Sequence, residues 1–107
     1  MKNLMLATAA AALLAACAQR PDAIAPADMP DRMYSDTSCA AARGEFVQVS
    51  DRLAALEKQQ NSAATGDALG VFLIGVPTAS LTGGDKAGQI AVEKGKKLAL
   101  EARLRGC

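Results

Sequence analysis

The strongest constraint in this sequence is an uncharged run, residues 68–84, A-L-G-V-F-L-I-G-V-P-T-A-S-L-T-G-G, closed by Asp67 on one side and Asp85 on the other. Its bulky residues crowd the first half: Leu69, Val71, Phe72, Leu73, Ile74 and Val76. As a helix the run reaches only about 25 Å, the short limit for a bilayer core, and Gly75 and Pro77 would interrupt it. A span would also leave the two flanking segments on opposite sides of a membrane. The run is therefore expected to be an apolar turn between two arms. Three dispositions stay open: the first helix continues through Ile74 and folds back at residues 75–84; the run packs on a partner; or it dips into lipid as a loop. In the last two cases Val71, Phe72, Leu73, Ile74 and Val76 are the expected interaction surface.

Both arms read as helices. In residues 39–62, Phe46, Val49, Leu53 and Leu56 recur at spacings of three and four, continued by Gln60 and Ala63, so one apolar seam runs along a helix. Arg43, Glu45, Asp51, Arg52, Glu57 and Lys58 lie off the seam, and Asp36, Thr37 and Ser38 are N-cap candidates. Residues 59–62, Q-Q-N-S, mark a polar transition. The second arm opens with T-G-G-D at 82–85, where Thr82 and Asp85 have capping-box spacing. Ala87, Ala91, Gly95, Leu98 and Ala102 then share one face, with Ile90 and Leu104 at its margin. The expected fold is all-α, a two-helix antiparallel hairpin of coiled-coil type with an apolar Gly/Pro turn. Half of the residues are apolar but only 3% are aromatic, so a core of Ala and Leu buries little area per residue.

The first 17 residues carry an address. Lys2 is a positive n-region, residues 4–14 are an apolar h-region, and small residues follow, the three parts of a secretory signal. The signal ends Leu14-Ala15-Ala16-Cys17, which resembles the lipobox of bacterial lipoproteins at every position. That resemblance implies diacylation of the Cys17 thiol, cleavage before it and acylation of the new amine, with palmitate among the chains. Several acyl chains, at roughly 0.8 kcal/mol per buried CH₂, anchor a protein stably. Ala18 stands where an Asp would signal inner-membrane retention, so the resemblance favours the outer membrane, with the protein facing the periplasm. Residues 17–38 hold Pro21, Pro26 and Pro30 with no sustained period, and are expected to be a disordered tether of up to ~60 Å at about 3.1 Å per residue. Three segments follow: signal peptide 1–16, lipidated Cys and tether 17–38, and hairpin 39–107.

Residues 39–107 also resemble small helical-hairpin envelope lipoproteins with a G-V-F-L-x-G-V-P-T-x-S-L-x-G-G-D turn, here residues 70–85, and an I-A-x-x-K-G second helix, here Ile90, Ala91, Lys94 and Gly95. The resemblance implies architecture and envelope context and brings no catalytic residues.

With Cys17 assigned to lipid, Cys39 and Cys107 remain, and an exported compartment is oxidising. Segments 39–62 and 84–107 have equal lengths of 24 residues, so antiparallel arms of ~36 Å would bring Cys39 beside Cys107 as a disulfide. Two free thiols, one of them redox-active, are the alternative, although no Cys-x-x-Cys pair or His supports it.

Chemistry is otherwise absent. The chain has no His, which removes the usual general base, the Ser-His-Asp and Cys-His systems and most zinc ligation. G-G-D-K at 83–86 lacks the ending of a phosphate loop. Glu93 and Glu101 flank Lys97 at helical spacing and read as ion-pair partners. Twelve basic against eleven acidic residues, balanced once Lys2 is removed, give no case for nucleic acid. The expectation is a lipid-anchored, non-enzymatic envelope module without cofactor or metal. Its partners would be the membrane through its lipid, and either an envelope protein or a second copy. A membrane-active lipoprotein whose turn enters a bilayer is the runner-up, and a thiol redox protein a third reading.

Overall fold

A computed structural model describes residues 2–8, 17–30, 32–76, 78–81 and 83–107. All regular structure among them is helical. A 3-10 turn, Pro21–Ala23, precedes three α-helices: α1, Cys39–Ile74; α2, Thr78–Leu81; and α3, Ala87–Leu104. Residues 2–8 are also helical and exposed. The two long helices, α1 and α3, pack along each other as a hairpin, and no described helix is long and apolar enough to cross a membrane.

α1 has 36 residues and α3 has 18, about 54 Å against 27 Å. The expectation of equal arms is corrected. α1 runs straight through residues 59–62 and on to Ile74, the first of the dispositions left open for the apolar run. The physical reason is that the seam does not stop. Ala42, Val49, Leu53, Gln60, Ala63, Asp67 and Gly70 are buried, and with half-buried Phe46 and Leu56 they keep alternating steps of four and three. Gln60 turns inward while Asn61 and Ser62 face solvent, so the polar stretch is one turn of helix rather than its end. Ser38 opens α1, its hydroxyl accepting from the Ala41 N–H at 3.1 Å. Gly75 closes it in the left-handed region, φ 77°, and its N–H returns to the Val71 carbonyl.

The turn is not bare. α2 lies in it and packs on α1; Pro77 and Thr82 lie outside the described residues. α3 starts where the Asp85 carboxylate accepts the Ala87 N–H at 3.0 Å, an end-capping role for Asp85; Thr82, its expected capping-box partner, cannot be placed. Ile90, Gly95 and Leu100 are the buried positions of α3. Leu98 is 53% exposed and Ala102 is exposed, which corrects the expected face. α3 serves two neighbours at once: Ile90 and Leu100 meet α1, while Ala91 and Gly95 meet the segment before α1.

That segment is the largest correction. Residues 18–37 are not a free tether but a strap laid along the hairpin, with Ala18, Pro21, Ile24 and Tyr34 buried. Its polar backbone groups find partners on both long helices. The Gln19 carbonyl accepts from Gln60 Nε2 at 2.8 Å, and the Ala27 N–H donates to the Ala91 carbonyl at 2.8 Å. Lys94 Nζ donates to the carbonyls of Pro21 and Ile24, the latter at 2.8 Å, and Arg103 Nε donates to the Thr37 carbonyl at 2.9 Å. Gly95 shows how close the approach is: a Cβ there would stand 2.4 Å from the Ala27 carbonyl oxygen. Prolines that forbid a helix suit an extended strap, which needs few ladder donors.

Three core clusters stack along the long axis. Tyr34, Ala42, Val49 and Leu100 form the first, beside Phe46 and Leu104. Ile24, Leu53 and Ile90 form the middle one. Ala18, Ala63 and Ala64 form the last, against Ala79. Side chains thus shrink from one end to the other.

Candidate functional site

The shrinking core ends at two buried polar residues. Gln60 and Asp67 lie seven apart on the seam of α1 and have no exposed surface. Such groups require hydrogen-bond partners, and each finds them on separate chain segments. Gln60 Nε2 donates to the Gln19 carbonyl and, at 3.0 Å, to Asp85 Oδ1. Its Oε1 accepts the Lys86 N–H at 2.6 Å. One side chain therefore joins strap, α1 and the approach to α3.

Asp67 does the same about two turns further along. Oδ2 accepts the Ala18 N–H at 2.6 Å and also the Ser80 hydroxyl. Oδ1 accepts the Ser80 N–H at 2.7 Å. The first N–H groups of a helix have no partner within it, and a carboxylate from α1 fills that role for α2. Burial pushes the Asp67 carboxyl upward. The Ser80 hydroxyl and the N–H groups of Ala18, Ser80 and Ala79 outweigh it and leave the group below the ordinary carboxylate value. Gly66, one residue earlier, lets α2 approach: a Cβ there would stand 3.0 Å from that of Ala79. Arg20 adds a clamp outside, its guanidinium donating to the Asn61 carbonyl and Thr65 Oγ1, both at 3.1 Å.

The strap therefore starts at Asp67 and ends at Cys39, antiparallel to α1. Cys17 immediately precedes the pinned Ala18, is half-buried, and takes no part in the disulfide. Leu14, Ala15 and Ala16, the rest of the lipobox match, lie outside the described residues. Beyond Asp67, α1 projects its last turns. Phe72 is 85% exposed, Leu73 72%, Ile74 67% and Leu69 56%, whereas Val71 and Val76 are half-buried. Of the expected interaction surface, three residues are thus presented to solvent together and two are partly covered. The tip and Cys17 share one end of the molecule.

The other end is closed covalently. Cys39 and Cys107 form a disulfide with Cα atoms 5.9 Å apart. The pairing survives the unequal arms because 12 residues of turn and α2 return the chain to α1 well below its end. Tyr34 is buried there, and burial, with the charges of Glu45 and Glu93, pushes its phenol upward against an opposing effect of Arg52. Glu93 pairs with Arg52 at 3.5 Å and Lys96 at 3.7 Å. Lys97, its expected partner, instead lies 5.8 Å over the Phe46 ring. On the side of the hairpin away from the strap, Leu56, Gln59, Gly88 and Val92 line an open groove beside Arg52 and Glu93.

Asp67 and Ser80 were the residues that pattern reading missed. Asp67 had been taken as the edge of an uncharged run, yet carrying the seam one step past Ala63 lands on it. No group of three or more potential metal ligands occurs among the described residues. Compared with known proteins, the chain matches no protein-family model, no curated protein and no solved structure.

Proposed function

We propose that this chain is a lipid-anchored, non-enzymatic module of the bacterial cell envelope, acylated at Cys17 and held at the periplasmic face of a membrane, the outer membrane by the character of Ala18. One observation carries the reading: Ala18, next to the acylation site, is already part of the fold. The first residue after L-A-A-C supplies a backbone N–H to a buried carboxylate, while residues 2–8 stand exposed as a separate helical piece. Cleavage before Cys17 would leave that hydrogen bond intact.

The non-enzymatic part is supported by how the polar groups are engaged. Asp67 is the buried carboxylate, and its oxygens are occupied by donors with no route to solvent. Such a group organises a fold and has no free lone pair facing a substrate. A redox role for Cys39 or Cys107 has less support, since both are joined at the end of the hairpin with no third thiol beside them among the described residues.

Replacing the acylation site tests the anchor. Cys17→Ser should abolish palmitate labelling, block signal removal and shift the protein out of the acylated membrane fraction. Labelling that persists in this variant would remove Cys17 from the role. A second reading, entry of the apolar turn into a bilayer, is favoured by the shared position of Cys17 and the exposed tip.

A further inference from the structure

We propose that the tip formed by Leu69, Phe72, Leu73 and Ile74 is a second, shallow membrane anchor, inserted in the same leaflet as the acyl chains on Cys17, so that the hairpin stands on the membrane with its disulfide end outward. This rests on the acylation reading for the identity of the first anchor. The tip itself stands on geometry.

The strap removes the slack that would let the tip face elsewhere. Ala18 is fixed to Asp67 by a 2.6 Å hydrogen bond and buried among Ala63 and Ala64, and consecutive Cα atoms lie ~3.8 Å apart. Cys17 is therefore held at the level of Asp67. Traced backward, the strap heads from the disulfide toward the tip, so the acylated residue leaves the fold in the tip's direction. Phe72 is five residues beyond Asp67 on the same helix, about 7.5 Å further along its axis. The interfacial layer of a leaflet is only roughly 5–8 Å deep. A helix end held beside a diacylated residue, and pointing the way that residue leaves the fold, is within reach of the hydrocarbon boundary.

The chemistry of the tip fits lipid rather than an ionic partner. Residues 68–84 carry no charged side chain, and Asp67, the nearest carboxylate, is turned inward onto Ala18 and Ser80. Of the exposed large apolar side chains described among residues 17–107, half fall within residues 69–74, and the rest, Met33, Val47, Val92 and Leu98, are scattered. Depth is limited. α1 ends at Gly75, and the carbonyls of its final turn need water or headgroup donors. The structure has no membrane-crossing helix among its described residues. Insertion to the headgroup–acyl boundary, as for interfacial helices, satisfies both facts.

The chain contains no Trp, so a single introduced one reports its own surroundings. The acylated protein carrying Phe72→Trp is reconstituted in phosphatidylethanolamine/phosphatidylglycerol vesicles, with Val47→Trp near the disulfide end as the comparison. The expected result is blue-shifted emission from Phe72→Trp, strong quenching by lipids brominated on their acyl chains, and several-fold weaker quenching by aqueous iodide than for Val47→Trp. Equal iodide quenching of the two variants would overturn the proposal. So would blue-shifted emission from Phe72→Trp that brominated lipids leave untouched, since protein, a partner or a second copy, would then cover the tip. Acylation is read on the same samples by mass. Acylated protein with a water-exposed Phe72→Trp overturns the tip alone. Unacylated protein whose Phe72→Trp is still quenched by brominated lipid overturns the Cys17 reading and leaves the tip standing.

Discussion

The two ends of the hairpin are held by different physics. At the disulfide end, Tyr34, Val49 and Leu100 bury large side chains beside a covalent link. At the tip end the core is alanine, and the strap, α1 and α2 are joined by the hydrogen bonds of Gln60 and Asp67. Apolar packing favours any arrangement of about the right volume, whereas a buried carboxylate accepts few geometries. The difference explains how a chain with little aromatic content keeps one register. One end supplies most of the stability, and the other fixes where the N-terminal strap and its cysteine must lie.

The largest effect should come from breaking the covalent end. The bridge closes a loop of 68 residues, worth about 4 kcal/mol on the chain-entropy account. Cys39→Ser should lower the unfolding free energy of the whole hairpin by that order, with a larger m-value as the uncrosslinked unfolded chain exposes more surface. A small change confined to the last turn of α3 would mean that apolar packing alone holds this end.

Breaking the polar end should act locally instead. Asp67→Asn keeps the shape but turns an amide NH₂ toward donors, at a cost of about 2–3 kcal/mol. Hydrogen exchange at the Ala18 and Ser80 amides should accelerate by more than tenfold while Val49 and Leu100 stay protected. The same end should respond to acid. The folded value for Asp67 lies below the ordinary one, so its contribution is complete above about pH 4. It is lost as pH falls through the lower, folded value. In the native protein, Ala18 protection should fall on acidification below about pH 4; in Asp67→Asn it should be weak at every pH.

The fit of the strap offers a smaller test. At Gly95 a Cβ would meet the Ala27 oxygen at 2.4 Å and Met29 side-chain atoms at 3.0 Å. Ala favours the helix by about 1 kcal/mol, while overpacking costs about 1–3 kcal/mol. Gly95→Ala should therefore destabilise the strap by about 1 kcal/mol while leaving α3 at least as helical. Faster exchange at the Ala27 amide with unchanged helical circular dichroism is the expected pair of results.

The comparison also separates what the residues announced from what they concealed. The seam from Phe46 to Ala63 and the Ser38 cap were legible, because each is written in side-chain spacing; the pairing of Cys39 with Cys107 holds although the equal arms that suggested it do not. The true length of α1 was only half legible: the seam already ran through Gln60 and Ala63 and continuation to Ile74 stayed open, yet the polarity of residues 59–62 resembles a boundary. The strap was hidden more deeply. Its docking uses the Ala18 N–H, the Gln19, Pro21 and Ile24 carbonyls and the Ala27 N–H, and no hydrophobic period encodes backbone groups. Ile24, Met29, Met33 and Tyr34 were its large apolar hints, and they follow no period.

The smallest expected effect on stability sharpens the contrast most. Phe72, 85% exposed, lies in the last turn of α1 with no core cluster around it, so Phe72→Asp removes little packing. Two costs remain: a charge near the negative end of the helix dipole, at about 0.3–1 kcal/mol, and the weaker helix propensity of Asp. The disulfide-closed protein should then melt within about 1 kcal/mol of the original and keep its circular dichroism. The same substitution on the seam, Val49→Asp, buries an unpaired charge and should unfold the disulfide end. If Phe72→Asp caused a cooperative loss of helix, the tip would be core and not surface. Retention of helix would place Phe72 on the surface and leave the fold to the seam, the strap and the disulfide.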